Sequence, residues 1–444
     1  MEEKIINLID KKNLTELKEL LDNLNDYDIA NIINEINDNY RLLIFRLLPK
    51  DIAANVFSYI DIDLQQDIIF KLTKKEQIDI IENLYTDDAV DLLDELPSNM
   101  VKKILSNVGK QTRSDINKLL NYPDNSAGSI MTTELIDLKE NITVHEALKK
   151  IRKKIDDLEI IETSYVISSD RILKGYVSLK KIISSTPNRK IKNIMEDNVI
   201  SVNTLTDQEE VASIMKDYDL NSIPVTDSEH RLVGIITVDD IIDIIDEETT
   251  EDIEKMAAIV PTDKPYLKLS TFDIYKSRIP WLLLLMISAT FTGKIIQHYE
   301  SSLAKYVILT SFIPMLMDTG GNAGGQSSVT IIRGLSLNEI EFKDIFKVIF
   351  KEFKVSILVG ITLAITNFIK LILIDRVTVA VALVVCITLV ITLILAKIIG
   401  CSLPILAKKC KFDPAVMASP FITTIVDAIS LFAYFKVATI ILGI

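Results

Sequence analysis

The sequence is poor in cysteine, histidine and tryptophan, with three, three and one among 444 residues. The cysteines all lie beyond residue 385 and have neither zinc-site nor disulfide-framework spacing, which is typical of a protein in a reducing compartment. The histidines are scattered along the chain, at His145, His230 and His298. We find no nucleophile–base pair, phosphate loop or metal-hydrolase cluster, so the sequence predicts that the protein is not an enzyme.

Each half of the sequence is short of charge of one sign. Residues 276–444 contain 16 Lys and Arg but nine Asp and Glu; 33 of the chain's 49 basic and 53 of its 62 acidic residues therefore lie in residues 1–275. The net charges are −20 for the first part and +7 for the second, and the mean hydropathy of the chain is +0.28. A net charge of −20 repels a phosphate backbone, which excludes a nucleic-acid binder.

Residues 1–128 are predicted to form an all-α superhelical N domain. Apolar pairs recur every 12 residues between positions 48 and 97: Val56-Phe57, Ile68-Ile69, Ile80-Ile81 and Leu92-Leu93. A short helix and a tight turn in each repeat would stack into a superhelix. The simplest interpretation of this domain is a packing scaffold.

Residues 129–246 change to an α/β pattern and contain an internal repeat. The segment Leu173-Lys-Gly-Tyr-Val-Ser-Leu-Lys-Lys-Ile-Ile matches Leu232-Val-Gly-Ile-Ile-Thr-Val-Asp-Asp-Ile-Ile. We place Gly175 and Gly234 at equivalent turns. The repeat, with Asn221-Ser-Ile-Pro-Val-Thr-Asp in its second copy, resembles a tandem CBS (cystathionine-β-synthase) pair, usually a regulatory module that binds nucleotides or ions.

Residues 247–272 are predicted to form a connecting helix dense in carboxylates, either a sensor element or a solvated spacer. Residues 273–444 are predicted to form an α-helical transmembrane domain with five spans, at about 279–297, 303–332, 355–374, 377–396 and 415–443. Lysine and arginine concentrate in the loops 333–354 and 397–413. The positive-inside rule then puts these loops and the N-terminus in the cytoplasm and the C-terminus outside.

Two polar segments interrupt the predicted spans. The second span contains Pro314-Met-Leu-Met-Asp-Thr-Gly-Gly-Asn-Ala-Gly-Gly-Gln-Ser-Ser, in which Asp318 and Asn322 are candidate pore residues. Its glycines would either let helices approach closely or open the backbone and free carbonyls for ions. A seam for helix packing alone does not require Asp318, Asn322 and Gln326.

Asp427 lies about halfway along the otherwise apolar fifth span, and Thr423 and Thr424 share its face. A carboxylate at bilayer depth is a candidate functional residue. The alternative is an ion pair between helices, with Lys294, Lys370 or Lys436. Oxygen ligands without nearby His or Cys favour a hard cation such as Mg²⁺ or Ca²⁺.

Along essentially its whole length the chain resembles the MgtE family of magnesium transporters. The matching segments are Tyr122-Pro-Asp-Asn-Ser-Ala-Gly-Ser-Ile-Met-Thr-Thr, the CBS pair, Thr249-Thr-Glu-Asp-Ile-Glu-Lys, Thr319-Gly-Gly-Asn-Ala-Gly and Asp413-Pro-Ala-Val with Asp427. The resemblance implies a plasma-membrane homodimer with ten spans around one pore, in which Asp427 binds hydrated Mg²⁺ and Thr423 offers a backbone oxygen. Gly325 departs from the family, whose members often carry Asn or Ser there.

The resemblance also implies that cytosolic Mg²⁺ gates the pore by bridging carboxylates of the N domain, the CBS pair and the connecting (plug) helix. The matching acidic residues are Asp87, Asp88, Asp91, Asp207, Glu209, Asp219, Asp240, Asp243, Glu248, Glu251 and Asp252. Like charges repel until a divalent ion neutralises them, which links ion binding to domain closure. The CBS pair is also a candidate ATP site.

The sequence therefore predicts a Mg²⁺ channel or transporter that is gated by cytosolic Mg²⁺, with Mg²⁺ and membrane lipid as its ligands. Two alternatives stay open. One is an ion-coupled secondary transporter of divalent cations such as Co²⁺ or Mn²⁺, and the other is a membrane-anchored nucleotide sensor.

Overall fold

A computed structural model describes residues 2–155, 158–262, 264, 266–417 and 419–443 of the chain. The chain forms two compact units, Met1–Ile245 and Asp246–Ile444. Each unit has its own hydrophobic core, and the two are described separately.

The first unit begins with short helices whose starts are spaced by 12 residues. Among the described residues these are α1 Glu2–Asp10, α2 Leu14–Leu21, α3 Asp26–Glu35, α4 Asp38–Leu47, α5 Lys50–Ser58, α6 Ile62–Lys71, α7 Lys74–Asn83, α8 Thr86–Asp94, α9 Ser98–Leu105 and α10 Lys110–Leu119. The predicted period is confirmed, and it extends beyond positions 48–97 to all ten helices. A helix of about ten residues followed by a turn is one unit of a stacked array.

The repeat holds together through one buried face on each helix. All eight residues of the predicted apolar pairs are buried, and each is at most 5% exposed. Polar contacts repeat with the same period: Gln65 Nε2 donates to the Phe57 carbonyl and Gln77 Nε2 to the Ile69 carbonyl, both at 2.8 Å. Each glutamine satisfies a carbonyl that the end of the preceding helix leaves free.

The rest of the first unit contains two similar α/β halves. The first comprises β1 Asp137–Lys139, α11 Val144–Lys154, β2 Thr163–Ile167, β3 Leu173–Ser178 and α12 Leu179–Ser184; the second comprises β4 Val202–Asn203, α13 Gln208–Asp217, β5 Ser222–Thr226, β6 Leu232–Thr237 and the start of α14 Val238–Met256. Each half has a three-stranded sheet with one parallel and one antiparallel pair. Both carry a register shift at the matching position, so the internal repeat is confirmed.

The placement of Gly175 and Gly234 at turns is wrong. Both lie inside strands, β3 and β6, opposite Val166 and Val225. A Cβ on Gly175 would overlap the Glu196 carbonyl, and a Cβ on Gly234 would lie 2.6 Å from the Met131 sulfur. These glycines therefore allow a neighbouring segment to cross close to each sheet.

The second unit is helical. Its main helices are α15 Thr271–His298, α16 Glu300–Lys305, α17 Ile313–Ser336, α18 Ile345–Leu373, α19 Val379–Lys409 and α20 Ser419–Leu442. Among the described residues four helical stretches are long and apolar enough to cross a membrane: Thr271–His298, Phe342–Leu373, Val379–Lys409 and Pro414–Leu442. The predicted second span corresponds to α17, whose 24 residues suffice in length but are rich in glycine and polar residues.

Helix α19 is the centre of the second unit, because α17, α18 and α20 all pack against it. The assignment of Lys397 to a loop is wrong: it lies inside α19 and is only 6% exposed. Hydropathy alone ends the predicted fourth span directly before this charge. The helix itself continues for about three further turns to Lys409.

The glycines of α17 serve helix packing. A Cβ on Gly321 would lie 2.9 Å from Thr423 Cγ2 on α20, and one on Gly320 would lie 2.6 Å from Thr392 Cγ2 on α19. Gly400 on α19 faces the backbone of Gly324, and a Cβ there would overlap its carbonyl. Helix α17 is continuous, so of the two proposed roles for its glycines the structure has the close approach.

Gly400→Ala is predicted to destabilise the second unit, which we call the membrane unit because of its long apolar helices, by about 1–3 kcal/mol. The added methyl group would force α17 and α19 apart. The measurement is the thermal unfolding midpoint of the protein purified in detergent. Gly293→Ala on α15 is the matched control, since a Cβ there meets no atom within 4 Å. Equal midpoints for the two variants would contradict the packing role.

Candidate cation sites

An acidic pocket lies in the first unit, where the first turns of α8 and α14 come together. It encloses about 730 Å³, and no lysine or arginine lines it among the described residues. Its seven carboxylates are Asp26, Asp87, Asp88, Glu159, Asp239, Asp240 and Asp243. Helix N-termini attract negative charge, which partly explains why acidic first turns are tolerated here.

Three of these carboxylates could bind one ion. One oxygen each from Asp87, Glu159 and Asp240 lies within 4.8 Å of the other two. The Thr237 hydroxyl lies 3.1 Å from Glu159 Oε1 and 2.7 Å from Asp240 Oδ2, while Glu159 Oε2 is buried and has no hydrogen-bond partner among the described residues. A buried carboxylate oxygen without a donor is costly, and a cation would remove that cost.

The pocket favours protonated carboxyl groups when no cation is bound. Burial, followed by the charge of Asp240, raises the pKa of Asp88 to about 7 and that of Glu159 to about 8. Burial likewise raises the pKa of Asp240 to about 6, and burial with the charge of Glu159 raises the pKa of Asp87 well above its usual range. These groups are too crowded and too poorly solvated to be ionised together without a counter-ion.

Of the predicted regulatory residues, the pocket contains Asp87, Asp88, Asp240 and Asp243. Asp91 does not line it, but its charge helps to raise the pKa of Asp88. Sequence reasoning missed Glu159, Asp239 and Asp26. Asp239 adjoins Asp240 in the quoted repeat and could have been included, whereas nothing in the spacing of Glu159 indicated its place.

The predicted residues Asp207, Glu209 and Asp219 lie around α13, away from the acidic pocket. The Asp207 carboxylate caps this helix by accepting the Glu209 amide at 3.0 Å, and Asp219 follows its last turn with a φ of 52°. The structure therefore gives Asp207 a capping role that needs no metal.

The remaining predicted residues, Glu248, Glu251 and Asp252, lie in the C-terminal half of α14. Lys255 Nζ contacts Glu251 Oε1 at 2.5 Å and Asp413 Oδ2 at 2.6 Å, and the Ser336 hydroxyl donates to Asp252 Oδ2 at 3.2 Å. Burial, then the charge of Asp413, raises the pKa of Asp252. Within the second unit, two carboxylates thus contact one ammonium group, and Asp252 is a third acidic residue near them.

A stripe of polar side chains runs along α17 in the membrane unit. We call Asp318, Asn322 and Gln326 the polar stripe: they follow one another at four-residue intervals and are all exposed. No hydrogen bond or ion pair of the Asp318 or Asn322 side chain occurs in the described part of the chain. The opposite face of α17 is buried against α19 and α20.

Asp427 lies on α20, partly buried and close enough to Asp318 for the two carboxylates to repel. The pairing of Asp427 with Lys294, Lys370 or Lys436 is not present among the described residues, and Lys370 pairs with Asp375 at 3.0 Å. The Thr423 and Thr424 hydroxyls both donate to the Pro420 carbonyl, at 2.9 and 3.1 Å. Their hydroxyl oxygens keep lone pairs that can still accept.

Comparison with known proteins gives three family matches. Residues 313–437 match the family described as a divalent cation transporter, residues 24–125 the MgtE intracellular N domain, and residues 127–187 and 191–247 each the CBS domain. The magnesium transporter MgtE of Thermus thermophilus is 35% identical over 338 residues, which cover 75% of this chain and 73% of that protein. The magnesium transporter MgtE of Bacillus subtilis is 36% identical over 339 residues, which cover 76% and 74%.

Two solved structures resemble the chain at 33% identity. The soluble part of a magnesium transporter has a TM-score of 0.53 and covers 56% of this chain and 97% of its own. The cytosolic domain of the Mg²⁺ channel MgtE in complex with ATP has a TM-score of 0.52 and covers 55% of this chain and 100% of its own.

Without divalent ions, residues 1–245 are predicted to be more stable at pH 5.5 than at pH 8.5. The folded pKa values of Asp88, Glu159 and Asp240 lie above the ordinary values of 3.8 and 4.5. The contribution of these three carboxyl groups to the free energy of unfolding is therefore complete below about pH 4, and it is lost as the pH rises through 6 to 8. Scanning calorimetry with a chelator measures the effect. Asp88→Asn should show a smaller pH dependence, and a transition that is independent of pH would contradict it.

Proposed function

The chain belongs to the MgtE family of divalent cation transporters, which are not enzymes, and we propose that it conducts Mg²⁺ into the cell through a homodimeric pore gated by cytosolic Mg²⁺. The observation that carries the proposal is the polar stripe of α17 beside Asp427, in a helical unit with four long apolar helices. The proposal divides the chain into an N domain (1–128), a CBS pair (129–246), a plug helix (247–272) and a five-span membrane domain (273–444).

The exposure of the polar stripe supports a second copy. On a single copy, Asp318, Asn322 and Gln326 would face hydrocarbon, where an aspartate costs about 2.5–3.5 kcal/mol on insertion scales. A second copy that presents the same face would enclose these side chains around a water-filled path. Helix α17, the predicted second span, would then line the pore and so need less apolar surface than the four apolar helices.

The chemistry of the stripe suits a hydrated Mg²⁺ ion. Asp318, Asn322, Thr423 and Asp427 offer oxygen ligands only, and Mg²⁺ gives up its water reluctantly. We assign Asp427 as the principal pore ligand, with Asp318 and Asn322 contacting the water shell and Thr423 contributing an oxygen one turn away.

The ends of three helices support the proposed topology. Lys408 Nζ donates to the Leu335 carbonyl at 2.7 Å, and Lys409 lies over the Phe342 ring at 3.7 Å, so the basic ends of α17 and α19 and the start of α18 lie on one side. The plug helix meets the membrane unit on this side, through Lys255 and Asp413. The positive-inside rule makes it cytoplasmic, and five spans put the C-terminus outside.

Two groups of carboxylates support the gating mechanism. Mg²⁺ in the acidic pocket would hold α8 of the N domain against α14 of the CBS pair, because the carboxylates there repel one another until a cation neutralises them. Asp91, Asp207, Glu209, Asp219, Glu248, Glu251 and Asp252 complete the proposed regulatory set. ATP is a proposed ligand of the CBS pair, because a cytosolic MgtE domain of similar structure binds it.

Asp427→Asn is predicted to lower Mg²⁺ uptake by at least about tenfold, equivalent to about 1.4 kcal/mol of lost ion binding. The measurement is uptake by a host that cannot otherwise import Mg²⁺. Asp375→Asn is the matched control, because Asp375 lies at the far end of α18, paired with Lys370. Full uptake by Asp427→Asn would exclude the pore assignment and favour a membrane-anchored sensor. Uptake that stops when proton and Na⁺ gradients are collapsed would instead favour a coupled secondary transporter.

Asp240→Asn is predicted to raise the Mg²⁺ concentration that protects residues 1–260 from protease, by at least about tenfold relative to wild type. Asp94→Asn serves as the control, because Asp94 is exposed at the end of α8 and does not line the pocket. The titration runs from zero to tens of millimolar Mg²⁺, about the range expected for weak carboxylate sites. Protection that does not change over this range in the wild type would overturn the gating mechanism.

A further inference from the structure

Helix α19 carries a buried lysine, Lys397, in the membrane unit. The Lys397 side chain is 7% exposed and Glu352, on α18, is 17% exposed; Lys397 Nζ lies 3.3 Å from Glu352 Oε2. Lys397 precedes the end of α19 at Lys409 by 12 residues, about 18 Å along the axis, and Glu352 follows the start of α18 at Ile345 by seven residues, about 10 Å. Both charges therefore lie within helices proposed to cross the membrane, where ionisable residues are rare and commonly functional.

The ion pair holds a third helix. The Ser327 hydroxyl of α17 donates to Glu352 Oε2 at 2.6 Å, and Lys397 Nζ lies 3.1 Å from Ser327 Oγ. One α17 side chain is thus bound by both members of the pair. We call Ser327, Glu352 and Lys397 the buried clamp.

The buried clamp adds a polar contact to the apolar packing of α17. Small residues, including Gly320, Gly321, Gly324 and Ser328, form much of its buried face and provide close approach to α19 and α20. A change of one residue in rotation turns a helix by about 100°. Gln326 of the polar stripe directly precedes Ser327. A contact that holds Ser327 therefore helps to fix the rotation of α17 and with it the direction in which the stripe faces.

We propose that Glu352 and Lys397 are positioning residues for ion conduction, which hold α17 by Ser327 so that Asp318 and Asn322 face the permeation path. The effect on ion conduction rests on the proposed function, whereas the contacts of the buried clamp do not. Lys397 also neutralises Glu352, so that this carboxylate does not compete with Asp318 and Asp427 for the ion. Removal of either charge would leave the other buried without its partner and would remove one of the two contacts that hold Ser327.

The first test measures the orientation of α17 and needs no transport activity. Asn322→Cys is placed in a Cys410→Ser background, because Cys410 is exposed whereas Cys386 and Cys401 are buried. We expect Lys397→Met to change the labelling rate of this cysteine by a small hydrophilic thiol reagent by at least about threefold. Lys370→Met is the matched control, since its ion pair with Asp375 is more exposed. Equal labelling rates in the clamp variant, the control and the parent would overturn the proposal.

The second test measures uptake per folded protein against Mg²⁺ concentration. Lys397→Met and Glu352→Gln should each shift the half-saturating concentration by at least about threefold, Lys397→Arg should retain the wild-type value, and the double neutral variant should lie closer to wild type than either single variant. A merely structural role would lower only the amount of protein, and that result would overturn the positioning role. Absence of uptake in the wild type would contradict the proposed function alone, because the labelling test still decides the clamp.

Discussion

Repulsion between neighbouring carboxylates is the interaction on which both candidate cation sites depend. In the acidic pocket, Asp87, Glu159 and Asp240 bring three oxygens within 4.8 Å of one another, and no basic side chain among the described residues lines it. In the membrane unit, Asp318 of α17 and Asp427 of α20 are neighbouring carboxylates. A divalent cation would stabilise each arrangement, which is the physical basis for our proposal that the same ion is both transported and sensed.

Much of the architecture could be predicted because it repeats or follows hydropathy. The apolar pairs from Val56 to Leu93 revealed the 12-residue period, and the doubled α/β pattern revealed the CBS pair. The same period extends to the first helices, whose apolar pairs keep the spacing: Leu8-Ile9, Leu20-Leu21, Ile32-Ile33 and Ile44-Phe45. The loop placement of Lys397 failed because a sequence window treats every charge as exposed, whereas Glu352 and Ser327 satisfy this one inside the bundle.

The candidate sites were harder to predict, because residues that are close in space need not have a characteristic spacing in the sequence. Asp87 and Asp240 were found by resemblance, but Glu159 completes their cluster from a turn that carries no motif. The sequence also did not indicate that the Asp207 carboxylate caps α13, while its predicted role as a ligand stays a prediction. The glycines of α17 had two possible roles that composition cannot separate; the distances to Thr392 and Thr423 decide for packing. Gly175 and Gly234 were misplaced because a glycine inside a strand looks like a turn when the crossing segment is unknown.

The regular spacing of the ten N-terminal helices has a consequence for variation in length. Each helix in such an array rests mainly on its neighbours, so stability is close to a sum of local terms. Whole 12-residue units could therefore be lost or added before Leu24, where the lining of the acidic pocket begins, without altering how α8 presents Asp87 and Asp88. An insertion of any other length inside a helix would shift the apolar face of that helix. Chain length in this segment is thus free to change, but only in steps of one repeat.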